Sequence, residues 1–245
     1  MKSYAVIQHN YSEFLGQVER QLEIRDIGFS YFRPFVGQDL PGSAIHFDAL
    51  FILGGSSLIN NEEQTPWIES ERRVLRLFQA SRRPVVGFGF GALLLAENAG
   101  ATLHDEPYHN AYWTTAHKTE AGEGDALAEA VDGKRVLVFY NGSATLPDNV
   151  APILIDDEGK WLAIRPDSMT YGILFRPELK PGMIEDMIME AGRDTPDDIG
   201  ELLATARVEW PETQKTTDQI IMALVKSLDL MKERHKAPVF KLNVE

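Results

Sequence analysis

The chain has 245 residues, a formal net charge of −13, 44% apolar and 25% charged residues, and no cysteine. That balance is expected of a soluble globular protein with enough chain for a sizeable core. The negative charge argues against a nucleic-acid or anionic-membrane surface, and zero cysteines exclude disulfides, thiolate metal sites and cysteine nucleophiles.

Met1-Lys2-Ser3 leads straight into Tyr4-Ala5-Val6-Ile7-Gln8-His9, a strand with a polar end. No extended apolar region marks a secretory signal and no run is long enough to span a bilayer, so a cytoplasmic location is expected. A helix is expected over residues 12–24, with Phe14, Leu15, Val18 and Leu22 on one face, and a second strand over 29–35, ended by Pro34. Phe47-Asp48-Ala49-Leu50-Phe51-Ile52-Leu53 reads as a buried strand running into Gly54-Gly55. A helix over 66–79 follows, with Thr65 as N-cap and Pro66 at the first helical position.

Next comes Pro84-Val85-Val86-Gly87-Phe88-Gly89-Phe90-Gly91-Ala92-Leu93-Leu94-Leu95-Ala96, a short β-branched strand passing at once into a strong helix former. A strand that turns this sharply into a helix has the geometry of a nucleophile elbow, with backbone N–H groups free to face an oxyanion. Residues 101–132 carry little pattern. Within them His104-Asp105-Glu106-Pro107-Tyr108-His109 matches no standard zinc spacing, and Gly122-Glu123-Gly124-Asp125 reads as a surface turn. Strands are expected over 136–140, 151–155 and 160–165, with Asp156-Asp157-Glu158-Gly159 as a solvated hairpin turn. Helices are expected over 183–191, 196–207 and 216–236; the last carries Ile220, Ile221, Leu224, Val225, Leu228 and Met231 as an apolar stripe. Strands alternating with helices imply a parallel sheet covered on both faces.

The elbow stretch resembles the nucleophile segment of class I glutamine amidotransferases, which reads roughly Pro-Val-hydrophobic-Gly-Ile-Cys-Leu-Gly-Ala-Gln-Leu-Leu-Ala. Pro84, Val85, Gly87, Gly91, Ala92, Leu94, Leu95 and Ala96 agree. The resemblance places the catalytic cysteine on Gly89 and the glutamine after Gly-Ala on Leu93. Tyr171-Gly172-Ile173-Leu174-Phe175-Arg176-Pro177-Glu178 is similar to the family's Gly-hydrophobic-Gln-Phe-His-Pro-Glu, with the general base on Arg176 and the orienting acid kept as Glu178. Asp48 to Gly55 is similar to the segment with a diglycine oxyanion loop, although two glycines after a strand also suit a plain βα turn. Asn141-Gly142-Ser143 stands where the family has His-Gly-Asp, and Thr65-Pro66-Trp67-Ile68 matches a helix start of the amidotransferase half of GMP synthase.

The resemblance covers residues 4–190 and implies a three-layer, doubly wound, mostly parallel flavodoxin-like α/β fold. It divides the chain into an amidotransferase-like domain over 1–192, C-terminal helices packed on it over 193–236 and a tail over 237–245. It implies a degenerate triad of Gly89, Arg176 and Glu178, with Gly54, Gly55, Phe90, Leu93, Asn141 and Ser143 around the ligand and oxyanion. No cofactor or metal is implied. Arginine stays protonated and cannot serve as the base. Arg176 and Glu178, at i and i+2, either pair with each other or leave Arg176 as a clamp for a carboxylate. The expected function is a non-catalytic amidotransferase-like protein binding a small carboxylate, a glutamine-like ligand or a partner enzyme. The alternatives are an enzyme acting on glutamine or a γ-glutamyl amide by other chemistry, with water activated by Glu178, and a structural subunit that docks a synthetase. Helix 216–236 is the expected surface for docking or oligomerisation.

Overall fold

A computed structural model describes residues 2–61, 63–191 and 199–234. Five parallel strands form the centre: β1 (Lys2–Ile7), β2 (Ile27–Phe32), β3 (Ala49–Ile52), β4 (Val85–Phe88) and, late in the chain, β10 (Thr170–Ile173). Their order is β2-β1-β3-β4-β10, and the sheet continues antiparallel through β9 (Trp161–Asp167), β8 (Pro152–Ile155) and β6 (His117–Lys118). Every residue of β3, β4 and β10 is buried, as strands covered on both faces must be. Helices α2 (Ile68–Ala80) and α3 (Phe90–Asn98) pack on the central strands. Helix α6 (Ile199–Ser227) packs against α1 (Gln17–Ile24), α4 (Ala126–Val131) and α5 (Pro181–Ala191). This is the doubly wound, mostly parallel arrangement that the sequence suggests.

The residues expected to be unpatterned hold a second, two-stranded sheet. β5 (Thr102–Thr115) runs antiparallel to β7 (Arg135–Thr145), well beyond the short strand read at 136–140. This ribbon lies over the end of β10: Val138 bridges Phe175, and the Arg176 N–H donates to Leu137 O at 2.8 Å.

Several boundaries differ from the sequence reading. Helix α1 starts at Gln17 rather than residue 12, because the Gln17 N–H is taken by Glu178 O at 3.0 Å. Residues 8–16 instead form a loop at the C-terminal end of β1. Strand β2 ends at Phe32, before Pro34 opens a short 3-10 turn. Thr65 does not cap α2; Trp67 holds that place, and the Thr65 hydroxyl donates to Asn61 O at 2.9 Å. The helices expected at 196–207 and 216–236 are one element of 29 residues running through Pro211; residues 196–198 and 235–236 lie outside the described residues. A proline removes one helical hydrogen bond, and burial of residues on both sides of it carries the helix through. Ile220, Ile221, Leu224 and Leu228 of its stripe are buried in the main core, while Met231 is exposed.

Each of the two acidic turns is solvated at its acidic side chains except for one buried carboxylate. Asp125 is buried and caps α4 by accepting from the Leu127 and Ala128 N–H groups; it also accepts from the Tyr171 hydroxyl at 2.6 Å. Asp156 is buried and accepts from the Glu158 and Lys160 N–H groups and from the Tyr112 hydroxyl. The side chains of residues 105–109 and all of residues 237–245 lie outside the described residues, while His104 Nε2 meets Thr145 Oγ1 at 2.8 Å. Among the described residues no helix is long and apolar enough to cross a membrane, and no three metal-ligating side chains converge.

Candidate functional site

The C-terminal ends of β1, β3, β4 and β10 meet at one place, the usual ligand position of a doubly wound sheet. At the end of β4 the chain turns through Gly89, with φ 52° and ψ −109°, directly into α3. That backbone conformation strains any residue with a Cβ. Gly89 is fixed by its N–H to Ile173 O at 2.9 Å and by its carbonyl, which accepts from the Ala92 and Leu93 N–H groups. The elbow geometry is therefore present.

The space in front of Gly89 is filled by Arg176, which is 2% exposed. Its Nε donates to Glu178 Oε1 at 2.6 Å, its Nη1 to Phe139 O at 2.9 Å, and its Nη2 lies 2.6 Å from Glu13 Oε2. The Glu13 contact is close but poorly aligned, and Nη2, Glu13 Oε2 and Glu178 Oε2 make no well-formed hydrogen bond. Glu13 is held by the Asn10 side chain, whose Nδ2 donates to Glu13 Oε1 at 2.5 Å. A Cβ on Gly54 would lie 2.3 Å from the Arg176 guanidinium carbon, so only glycine lets the loop after β3 lie against that plane. A Cβ on Gly89 would lie 3.2 Å from Arg176 Cδ.

One guanidinium thus faces two carboxylates, all buried. Burial works against the charged guanidinium, but Glu178 and Glu13 outweigh it and raise the pKa of Arg176 further. Burial also raises the Glu178 carboxyl above the ordinary carboxylate range, against the pull of Arg176. Arg176 can neither take a proton nor offer a free edge to an incoming anion while both carboxylates are in place.

Beside this cluster lies a second buried pair. His9 Nδ1 meets Gly54 O at 2.8 Å and Nε2 meets Glu71 Oε1 at 3.0 Å, while the ring packs on Phe90 with centroids 4.3 Å apart. Both partners are acceptors, so the ring is held as an imidazolium. Burial alone would lower its pKa; the Glu71 charge and hydrogen bond, with the Gly54 carbonyl, raise it overall.

The residues singled out from sequence divide into three groups. Gly54, Gly89, Arg176 and Glu178 come together. Gly55 and Phe90 flank His9, a Cβ on Gly55 reaching within 2.9 Å of His9 Cβ. Leu93 is buried on α3, Asn141 donates through Nδ2 to Ser56 O, and Ser143 lines a separate cleft. Of the two readings of Arg176, the ion pair with Glu178 is formed. Glu13, His9 and Glu71 are not among the site residues that the sequence suggests. His9 and Glu13 follow β1 as Gly54 follows β3, and that position at a strand's C-terminal end was the available signal; Glu71, on α2, gave none.

No family model matches the chain. The glutamine amidotransferase-like protein YfeJ of Salmonella typhimurium is 26% identical over 201 residues, 80% of this chain and 83% of its own. A glutamine amidotransferase from Thermotoga maritima superposes with a TM-score of 0.79 at 19% identity, covering 92% of this chain and 98% of that one. Another from Methylobacillus flagellatus gives 0.80 at 20% identity, covering 98% and 100%. The chain has the mixed α/β fold of class I glutamine amidotransferases.

Proposed function

We propose that this is a glutamine amidotransferase-like protein that does not hydrolyse glutamine and acts by binding, its triad reduced to Gly89, Arg176 and Glu178. One observation carries the reading: the Arg176 side chain, paired with Glu13 and Glu178, occupies the space in front of the elbow. A thiol nucleophile has no counterpart there, and Glu178 is tied to a guanidinium rather than to an imidazole. Water activation by Glu178 is disfavoured because its carboxylate is buried and paired with Arg176.

The same packing weighs against a small carboxylate held by Arg176, since Glu13 would have to leave first. Binding of a partner enzyme is the role the closed site favours, as a non-catalytic subunit. The experiment is incubation of the purified protein with glutamine, with ammonia and glutamate quantified, beside thermal unfolding with glutamine and glutamate added. No ammonia above the buffer rate and no rise in midpoint are expected. A ligand at about 100 times its dissociation constant would add about 2.7 kcal/mol, a visible shift. Ammonia release that Arg176→Met abolishes would overturn the reading.

A further inference from the structure

A cleft of about 570 Å³ opens between the β5–β7 ribbon and the β8–β9 hairpin, within the size range of small-molecule sites. It shares no lining residue with the Arg176 cluster. Asn110 and Tyr140 stand directly opposite each other in the ribbon, so their side chains emerge side by side on one face. Both line the cleft, and they are 7% and 8% exposed.

Their polar atoms are left over. Asn110 Nδ2 donates to Gly142 O at 2.9 Å, which fixes the amide and turns Oδ1 away as an acceptor. Among the described residues Oδ1 has no donor and the Tyr140 hydroxyl has no partner. Neither atom is shut off from solvent, so both can meet a molecule that enters the cleft. Burial, with the charge of Asp156, raises the Tyr140 phenol above its ordinary value, so it is an O–H donor at neutral pH. The wall is firm: Trp161 Nε1 donates to Ala144 O at 3.0 Å, and Asp156 ties down the hairpin. Exposed Thr145, Gly159 and Lys160 form the rim, leaving the cleft open to solvent.

We propose that this cleft binds a small molecule presenting a C=O beside an N–H on one edge, a lactam or a primary carboxamide. Tyr140 donates to its carbonyl and Asn110 Oδ1 accepts from its N–H, with the Ser143 hydroxyl on the same wall. A trans secondary amide carries these groups on opposite sides and does not fit.

Calorimetric titration with uracil and with nicotinamide tests the site, with 1,3-dimethyluracil as the counterpart lacking N–H. Saturable binding of uracil or nicotinamide, none of the dimethyl compound, and about tenfold weaker binding by Tyr140→Phe are expected; tenfold corresponds to one hydrogen bond. Tyr140→Phe leaves the unfolding midpoint of the free protein unchanged or higher, because no internal bond is lost. The proposal is overturned if neither probe saturates, if dimethyluracil binds equally, if Tyr140→Phe binds as the parent does, or if that variant is destabilised. None of these outcomes depends on the state of the elbow.

Discussion

Arg176 sits between two carboxylates that would otherwise be buried without compensation. Taking charges out of water is expensive, and the arrangement holds only because the cation is present. Arg176→Met therefore removes the cation that pairs with both Glu13 and Glu178 and is expected to cost about 3–5 kcal/mol of unfolding free energy. Urea denaturation measures it. The loss should shrink on acidification, since burial already raises the Glu178 carboxyl and a proton there removes buried negative charge. A combined Glu13→Gln/Arg176→Met/Glu178→Gln variant should regain at least half of the loss. If Arg176→Met is as stable as the parent at neutral pH, Arg176 does not offset the buried charge of Glu13 and Glu178.

His9 connects three elements: it follows β1, pairs with Glu71 of α2 and holds the carbonyl of Gly54 after β3. Its pKa is raised above the ordinary value of 6.5 in the folded protein. The fold then binds a proton that the unfolded chain releases, so this stabilisation is complete below 6.5 and is lost as pH rises through the folded pKa. Thermal midpoints should fall as pH rises above 6.5, and Glu71→Gln should flatten that slope while lowering the midpoint at pH 6. An unchanged slope in Glu71→Gln would remove the pair from the account. The elements themselves were largely legible. The β-branched run before Gly87 and the helix formers after Gly91 leave few alternatives for β4 and α3. The ribbon was not, because strand β5 includes Pro107 and polar residues and is defined by its pairing with β7 rather than by its own pattern. Glu13 falls within the stretch 12–24 expected to be helical; the capture of the Gln17 N–H by Glu178 O, a contact between distant parts of the chain, leaves it in a loop at the site.

At the scale of the molecule, fold does not dictate chemistry: the sheet and the strand-end position are shared with glutamine amidotransferases, while the proposed function rests on the side chains at the elbow. The resemblance in sequence placed the expected nucleophile and base on Gly89 and Arg176, but gave no sign that Arg176 folds inward onto Glu13. If the replacements alone silence the site, restoring them should restore the reaction. Gly89→Cys by itself crowds Arg176 and strains a backbone at φ 52°, for a loss of about 1–3 kcal/mol, and gains no glutaminase activity because no base is present. Gly89→Cys with Arg176→His places an imidazole between the new thiol and Glu178 and relieves the crowding. The parent has no cysteine, so the new thiol is the only one in the molecule and its alkylation rate against pH reports it alone. The double variant should alkylate below the ordinary thiol range, near pH 7, and release ammonia from glutamine, whereas the single variant does neither. A folded double variant with a reactive thiol and no ammonia would place the loss in the glutamine pocket as well, with Leu93 the first position to change.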